Sequence, residues 1–367
     1  MEFRNLYIHV PFCRKKCDYC AFYSMENSGT NEWNLWLEQV LRELAANQSR
    51  LMHVNTVYFG GGTPTLPDTE FLHRMYTEIF RRIGLEPGAE ITSEANPETL
   101  TEEKAALMAQ YVNRVSMGVQ SFSIQTRRVL GRHPFSPDSI YPAFSFLRKA
   151  GIGNIGLDLM YAVPGQTEDD WYQDLKTALE LEPEHLSCYA LTPEENTPYA
   201  KLHGLEPPDD ELSSAMWHRA GVETMKHGMM RYEVSNYAKN SFTARHNCAV
   251  WAGQTYLGIG PAASSFDGTD RWTQVSDLRK WYSGTPPEFD RIEHSARCRE
   301  ILMMGLRTVH GWTLTEYRAA TGNTWQEAFP ILQKLAADGL LILETDRCRP
   351  TELGLEFWNT IAEELLM

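Results

Sequence analysis

The sequence predicts an α/β protein: a partial, six-stranded (β/α) barrel followed by a C-terminal winged-helix-like α+β domain. The first observation is that apolar strand-like runs alternate with amphipathic helical stretches through the first half of the chain. Such alternation indicates parallel strands joined by helical crossovers. The second observation is that glycine-rich and polar segments follow the strands, at the rim where barrels of this kind build their sites. A doubly wound open sheet would show the same alternation, so the pattern alone leaves that alternative open.

Each predicted strand is a short apolar run that ends in a polar or glycine-containing segment. The six predicted strands are Leu6–Phe12, Thr56–Phe59, Glu90–Glu94, Arg114–Val119, Asn154–Tyr161 and His185–Ala190. Between them, apolar residues recur with the period of a helix. The predicted helices are Glu32–Gln48, Thr69–Ile83, Thr101–Gln110, Ser136–Lys149 and Thr167–Leu181. These elements place the barrel core in residues 1–208.

Residues 209–292 are predicted to extend the barrel. A helix over Asp209–His227 precedes three segments rich in glycine, asparagine, serine and aromatic residues. The segments are YEVSNYA, RHNCAVW and YLGIGPAASSF, at residues 232–238, 245–251 and 256–266. This composition suits extended structure that lines a pocket.

Residues 293–367 have a winged-helix-like outline. The predicted elements are helices Arg297–Val309, Thr313–Thr321 and Gln326–Asp338, a two-stranded wing at Leu340–Glu344 and Arg349–Thr351, and a closing helix Leu353–Leu366. Folds of this outline often bind DNA, but this segment is acidic and its third helix offers only Lys334. We therefore expect a structural or lid domain.

The composition excludes several classes of protein. A net charge of −14 opposes broad binding to nucleic acid. No apolar run approaches the roughly 18 residues of a membrane span, and no secretory signal is visible. Seven cysteines, an odd number with three clustered, fit a reducing cytoplasm better than a disulfide framework. The sequence therefore predicts a cytoplasmic protein.

The most distinctive segment is the loop after the first predicted strand, which carries Cys13, Cys17 and Cys20. Three thiolates at this spacing can hold one face of a small metal centre. A mononuclear zinc site would need a fourth protein ligand, and none is evident nearby. An iron–sulfur cube normally takes four cysteines, so three would leave one iron open to another molecule. Buried structural cysteines are the alternative, but the charged residues between these three do not suit a buried apolar segment.

The spacing Cys13-x-x-x-Cys17-x-x-Cys20 after a first strand resembles the radical S-adenosylmethionine (SAM) superfamily. The resemblance implies a [4Fe–4S] cluster on the three cysteines, SAM on the open iron, and cleavage of SAM to a 5′-deoxyadenosyl radical. It also implies a reductant such as flavodoxin or ferredoxin. The glycine run Gly60–Gly62 fits this reading because glycine lets backbone approach a ligand closely. Taken alone, such a run is more often a tight turn.

Longer strings resemble one branch of the superfamily, the coproporphyrinogen-dehydrogenase-like proteins. They are YIHVPFC, YFGGGTPT, SEANPE, RVSMGVQSF, LGRHP, LDLMYAVPGQT, CYALTPEENTPY and LGIGPAASS, and they span roughly residues 6 to 266. The resemblance assigns SAM contacts to Tyr7, Gly61, Gly62, Thr63, Glu94, Gln120, Arg132, Asp158 and Ala190, with Tyr19 beside the adenine. These roles are chemically sensible, because carboxylates suit an ammonium or ribose hydroxyls and arginine suits a carboxylate.

Two departures separate members of this branch. The dehydrogenase has a further cysteine two residues after the triad and a long N-terminal extension, whereas this chain has Phe22 there and only twelve residues before Cys13. Both departures resemble the haem chaperone HemW family. That family's HNxxYW element, tied to haem binding, corresponds to HNCAVW at residues 246–251, with Val250 at the tyrosine position. His246 is the expected haem ligand, with Cys248 as a substitute and a hydrogen-bonded structural histidine as the alternative.

The leading hypothesis is a haem-binding protein that delivers haem to acceptor proteins. The alternative, from the enzyme class, is oxidative decarboxylation of coproporphyrinogen III to protoporphyrinogen IX, which would use the same cofactor residues. A methyl-transferring or haem-opening relative is the third hypothesis. The sequence leaves open the haem acceptor, the physiological cleavage of SAM, a homodimer and peripheral contact with a membrane.

Overall fold

The computed structural model describes residues 2–26, 29–132 and 136–367. At its centre are six parallel strands. They are β1 Asn5–Val10, β2 Val54–Gly61, β3 Leu85–Ala95, β4 Arg114–Gln120, β5 Ile155–Tyr161 and β6 His185–Ala190. The strands lie side by side in the same order as along the chain. A doubly wound sheet reverses its strand order partway, so this order confirms the predicted partial (β/α) barrel and excludes the open alternative.

Amphipathic helices cover the outer face of the strands. They are Thr30–Asn47, Thr69–Phe80, Glu102–Met108, Ile124–Val129, Ile140–Lys149 and Glu168–Glu180, with 3-10 turns at Gln48–Arg50, Pro97–Thr99 and Pro137–Ser139. The helix predicted from Ser136 begins at Ile140, because a proline-containing turn precedes it. Thr167 caps the last helix in a reciprocal pair of hydrogen bonds with Asp170, which sets where that helix begins.

Residues of the barrel strands alternate between outward and inward positions. The outward residues are apolar and pack against the helices in the main hydrophobic core, as Leu6, Val57 and Leu157 do. The inward residues are largely polar and surround an internal cavity. They include Tyr7, Tyr58, Glu94, Arg114, Ser116, Asp158, His185 and Ser187. The interior of this barrel is therefore a binding space rather than a packed core.

Six short strands extend the sheet on both sides. Beside β1 lies the parallel strand Tyr256–Ile259, followed by the antiparallel strands Ser264–Phe266, Arg271–Thr273 and Glu288–Asp290. Beside β6 lie the antiparallel strands Asn236–Ala238 and Met230–Arg231. Helices Pro198–His203, Asp210–Lys226 and Leu278–Tyr282 accompany them, and a separate ribbon pairs Phe12–Cys13 with Met25–Glu26.

The prediction of extended structure is wrong for residues 245–251, which form the helix Arg245–Trp251. Its preceding residue, Ala244, offers no side-chain cap. Instead, the carboxylate of Glu90 on β3 accepts hydrogen bonds from the backbone N–H groups of Arg245 and His246, at 3.1 and 3.0 Å. These are donors that a helix leaves unpaired at its start, so the barrel itself supplies the cap. The two flanking segments contain short strands, as expected.

The C-terminal region has its own hydrophobic core. Its helices are His294–Gly305, Leu314–Thr321, Phe329–Ala337, Glu352–Glu356 and Trp358–Leu366, and its strands are Trp312–Thr313, Leu341–Leu343 and Arg347–Pro350. The wing thus has three strands rather than two, and the predicted closing helix is interrupted at Phe357. An ion pair of 2.6 Å between Arg307 and the buried Glu233 joins this region to the barrel extension. The division into three domains stays a prediction.

In the part of the chain that the structure describes, we find no helix with the length and apolar character needed to cross a bilayer.

Candidate functional site

The functional residues predicted from the sequence surround one cavity of about 770 Å³ inside the barrel. This volume lies within the range of small-molecule and cofactor sites, about 300–1,000 Å³. All three cysteines, His246 and every predicted SAM contact except Ala190 line it. Ala190 is absent from the lining, although the preceding residue, Tyr189, belongs to it. One cavity therefore connects the cysteine loop at the carboxyl ends of the strands with the helix Arg245–Trp251 at their amino ends.

The cysteine loop is fastened to the barrel by His9, on β1. The His9 ring accepts a hydrogen bond from the Tyr7 hydroxyl at its Nδ1, 3.0 Å away. Its Nε2–H donates to the Tyr23 carbonyl at 2.8 Å, just beyond the last cysteine. Burial lowers the pKa of His9 to about 4, so the ring is neutral and keeps this tautomer. The loop end is thus fixed from inside the barrel.

The three thiols fit an iron–sulfur cluster better than a single metal ion. Among the described residues, no three histidine, cysteine or carboxylate side chains converge closely enough to hold one ion. Yet Cys13, Cys17 and Cys20 all face the same cavity. Burial raises the pKa of each thiol, to about 11 for Cys20, so the thiolates need nearby positive charge, which iron would supply. The cysteine ligands of a multi-iron cluster bind separate iron atoms, so the three thiols need not meet at one point.

The glycine run contributes space and carbonyl oxygens rather than free N–H groups. A side chain on Gly61, whose φ is +103°, would collide with the His9 ring, its Cβ only 2.3 Å from Cε1. The N–H of Gly61 donates to Glu94 at 3.0 Å. Those of Gly62 and Thr63 donate to the carbonyls of Val10 and Phe12, each at 2.7 Å. Anything this backbone offers a ligand must come from carbonyl oxygen, which suits an ammonium group.

Two inward carboxylates, Glu94 on β3 and Asp158 on β5, face the cavity from either side of β4. Tyr58 donates its hydroxyl proton to Glu94 at 2.9 Å, and the Ser116 hydroxyl lies 3.2 Å from both Asp158 oxygens. Burial raises the pKa of both carboxyl groups, that of Glu94 to about 7. Cationic groups or hydroxyls of a ligand would therefore find acceptors here, at a depth where charge is weakly screened.

Arg132 lies beside Cys17 in a buried charged cluster. Its guanidinium donates to the Asn96 side chain at 3.0 Å and pairs with Glu98 at 3.5 Å, while its Nε finds no partner in residues 2–26, 29–132 and 136–367. Gln120, at the end of β4, has a φ of 68° although it is not glycine. Such backbone conformations carry strain and concentrate at functional sites, which agrees with the predicted role of Gln120.

His246 lines the cavity, and a chain of hydrogen bonds fixes which of its ring nitrogens carries the proton. The Asn5 amide donates to the Thr255 carbonyl at 3.0 Å, which fixes its Oδ1 as an acceptor, and that oxygen receives the Thr56 hydroxyl proton at 2.8 Å. The same hydroxyl lies 2.8 Å from His246 Nδ1. Since its only proton is in use, Nδ1–H must be the donor, which leaves the lone pair on Nε2. Burial lowers the pKa of His246 to about 3, so the ring stays neutral.

The other residues of the HNCAVW element differ in whether they reach the cavity. Asn247, Val250 and Trp251 line the cavity with His246, whereas Cys248 does not. The role of Cys248 as a substitute haem ligand thus loses support. Val250, at the tyrosine position of the family element, does line the cavity.

Several cavity residues were missed by the sequence analysis. His9 and Tyr58 line the cavity from within their strands, and Arg114 and His185 line it from the amino-terminal ends of theirs. The signal that could have found them is the two-residue period, since each is a polar residue at an inward position next to an apolar outward one.

Comparison with known proteins places these features in a family context. Residues 7–178 match the Radical SAM superfamily, and residues 292–357 match the HemN C-terminal domain. The heme chaperone HemW of Escherichia coli strain K12 is 33% identical, covering 99% of this chain and 98% of its own. That of Bacillus subtilis strain 168 is 30% identical, covering 92% of each. The zebrafish (Danio rerio) mitochondrial radical S-adenosyl methionine domain-containing protein 1 is 30% identical, covering 99% of this chain and 87% of its own.

Among solved structures, coproporphyrinogen III oxidase (HemN) from Escherichia coli, a radical SAM enzyme, matches with a TM-score of 0.84. The match covers 99% of this chain and 90% of that one, at 20% sequence identity. This likeness establishes a shared fold for the barrel and the C-terminal region.

Proposed function

The chain belongs to the heme chaperone HemW family of radical SAM proteins, and from that premise we propose that it binds haem in the barrel cavity and passes it to acceptor proteins. The observation that carries the proposal is the Nε2 lone pair of His246, which the hydrogen bond from Nδ1–H to Thr56 leaves free. A neutral imidazole whose other nitrogen is hydrogen-bonded is the usual form of a histidine that binds a metal. The aromatic rings of Tyr58 and Tyr7 lie 5.3 and 6.4 Å from the His246 ring, which suits a flat, apolar ligand.

The same proposal assigns the other end of the cavity to the cofactors of the superfamily. Cys13, Cys17 and Cys20 would hold a [4Fe–4S] cluster, which supplies one-electron chemistry when it is bound. The carbonyl groups of the glycine run would accept from the ammonium of SAM, and Arg132 would bind its carboxylate. Glu94 and Asp158 would contact its ammonium or ribose hydroxyls. The expected contacts from Tyr7, Tyr19 and Gln120 complete the set, whereas the expected contact from Ala190 has no support from the cavity lining.

The proposed partners follow from this assignment. A cluster that cycles between redox states needs a small electron-transfer protein such as flavodoxin or ferredoxin. Haem release needs an acceptor protein, and both steps fit a protein of the cytoplasm. A net charge of −14 opposes nucleic acid as a partner.

Haemin titration of the anaerobically reconstituted protein tests the proposal. We expect wild type to bind about one haem per chain with a histidine-ligated absorption spectrum, and His246→Ala to lose that spectrum and at least about tenfold in affinity. His53→Ala is the matched control, because His53 is an exposed histidine that pairs with Glu86 on the outer surface. Unchanged titration in His246→Ala would overturn the ligand assignment. A wild type that binds no haem would overturn the proposed function.

A further inference from the structure

Arg114, the first residue of β4, is a buried arginine that forms no ion pair with the described residues. It is 2% exposed and lines the cavity. In the described part of the chain its Nε has no hydrogen-bond partner, and no ion pair of its guanidinium is found. Burying a charged group without hydrogen bonds is strongly unfavourable, so such a group usually marks a ligand position.

The neighbouring carboxylates are already engaged by other donors. Glu94 accepts from the Tyr58 hydroxyl at 2.9 Å and from the Gly61 N–H at 3.0 Å. Asp158 accepts from the Ser116 hydroxyl at 3.2 Å. The Arg114 guanidinium therefore influences these carboxylates only through space, and its own donors remain available to a further acceptor.

A second unused donor lies next to Arg114. The Tyr232 hydroxyl accepts from the Ala244 N–H at 3.3 Å and lies 2.8 Å from His185 Nε2, the acceptor for its proton. Among the described residues no other acceptor is found for the Tyr232 hydroxyl proton, so the tautomer that satisfies both groups carries the His185 proton on Nδ1, and Nδ1 has no partner there. Two donors, one cationic and one neutral, thus remain unsatisfied in the same part of the cavity.

Gly156 leaves the space into which these donors point. A Cβ at Gly156 would lie 3.2 Å from His185 Nδ1 and 3.5 Å from Arg114 Nη2. Both donors therefore border the same small volume, which the missing side chain keeps open. Donors that converge on an open point in a buried site are the arrangement that binds a carboxylate.

This pocket lies at the same level of the barrel as the His246 helix. Strand pairing sets Tyr58 beside Thr92, and Thr92 beside Arg114. Tyr58 in turn packs against the His246 ring. A ligand that reaches the Nε2 of His246 therefore lies in the half of the cavity that holds Arg114, away from the cysteine loop.

We propose that Arg114 and His185, with Gly156 between them, form a carboxylate pocket that binds a propionate of the haem whose iron faces His246. This inference rests on the proposed function and adds a second anchor to it. A porphyrin held by its iron alone can rotate about the axial bond, whereas a bound propionate fixes its orientation.

The test compares haemin with haemin dimethyl ester, titrated in the same detergent buffer. We expect wild type to prefer haemin by about tenfold or more, as for a buried charge-assisted hydrogen bond. Arg114→Met should bind the two equally, and Arg114→Lys should keep part of the preference. Gly156→Ala, which fills the pocket without removing a donor, should also reduce it. Arg245→Met is the control, since Arg245 is exposed on the His246 helix and donates to the Gly88 carbonyl.

Each outcome decides a separate claim. If wild type binds no haemin, the proposed function fails before the pocket is tested. If wild type binds haemin and its ester equally, or Arg114→Met and Gly156→Ala both keep the preference, the carboxylate pocket is overturned. Equilibrium dialysis with SAM is the third arm: weaker SAM binding in Arg114→Met, with the haemin preference intact, would assign the guanidinium to the SAM carboxylate and overturn the propionate assignment.

Discussion

The tautomer and orientation of the His246 ring depend on Asn5 and Thr56, two residues that would not contact the ligand themselves. The Asn5 Oδ1 accepts a hydrogen bond from the Thr56 hydroxyl, and that hydroxyl can then only accept from the His246 Nδ1–H. Hydrogen bonds of this kind orient a metal-binding ring and select its tautomer. Asn5 and Thr56 are therefore positioning residues for the proposed haem site.

Thr56→Val should lower haem affinity by about 10–100-fold, because it removes the acceptor that holds Nδ1–H. Thr56→Ser is the matched control, since it keeps the hydroxyl and should bind haem nearly as wild type does. Haemin titration checks both variants, and thermal melting shows whether they are folded. Equal affinities for the valine and serine variants would contradict the tautomer argument.

Serine at Cys13, Cys17 or Cys20 should abolish cluster assembly, because each would supply one of three thiolates with no nearby replacement. Iron content after anaerobic reconstitution should fall from about four per chain to near zero, with loss of the visible absorption of the cluster. Cys248→Ser should leave both readings unchanged, because Cys248 does not line the cavity. Retention of a full cluster in any triad variant would refute the assignment.

At the level of elements, the helix Arg245–Trp251 shows what a barrel interior can impose on a short segment. Seven residues are too few for an independently stable helix. The segment folds as one because Glu90, far away in sequence, accepts from its first two N–H groups. Local composition favoured extended structure, and a cap from another strand leaves no trace in the local sequence.

Glu90→Gln should destabilise this helix. The two carboxylate oxygens of Glu90 each accept from one backbone N–H group, and the glutamine amide would replace one of these acceptors with an NH₂ donor. We expect the free energy of unfolding to fall by about 1–3 kcal/mol and haem affinity to fall with it. Glu86→Gln, on the same strand but near the surface, is the control. Denaturant unfolding and haemin titration give the two readings; a Glu90→Gln protein as stable as the control would refute the capping role.

Glu43 joins the helix Thr30–Asn47 to the barrel extension. It accepts from Trp281 Nε1 at 2.6 Å and from the Gly260 N–H at 3.4 Å. Burial raises its pKa from 4.5 to about 7, so the folded state holds a proton that the unfolded state releases. The contribution of Glu43 to the free energy of unfolding is therefore lost as pH rises from about 4.5 to about 7. Above about pH 7 this contribution stays lost.

Glu43→Gln should consequently be more favourable to stability at about pH 8 than at about pH 5, when its free energy of unfolding is compared with that of wild type at each pH. The expected gain across this interval is up to about 3 kcal/mol, from a pKa rise of roughly 2.5 units. Glu38→Gln, an exposed position on the same helix, should show no such trend. Urea unfolding at both pH values measures it. A flat difference between Glu43→Gln and wild type would show that Glu43 ionises normally in the folded state.

At the level of the whole molecule, the sequence predicted the order of the elements and the cysteine loop. It did not predict that the cavity extends through the barrel to the amino ends of the strands. Strand–helix alternation identified all six barrel strands, and the predicted SAM contacts lie along one cavity wall, apart from Ala190. Arg114 and His185 lie at the amino ends of their strands, whereas the glycine-rich and polar sequence patterns mark the carboxyl ends. The two residues face a common interior only when the strands close into a barrel, and the sequence of either strand alone does not show this.

The cavity has two ends with different chemistry. Cysteines, glycines and Arg132 surround the carboxyl ends of the strands, whereas His246, Arg114 and aromatic rings surround the amino ends. A protein that only carried haem would need just the second end, and a decarboxylase would need substrate beside the first. The central claim is that haem is the ligand and leaves unaltered.

The most direct test uses two parallel anaerobic reactions, each containing the reconstituted protein, SAM and a chemical reductant. Haem is added to one reaction and coproporphyrinogen III to the other. We expect haem to be bound at about one per chain and recovered intact, and coproporphyrinogen III to be recovered without vinyl products above the protein-free background. Protoporphyrinogen IX formed in proportion to the protein, with no haem bound, would contradict it.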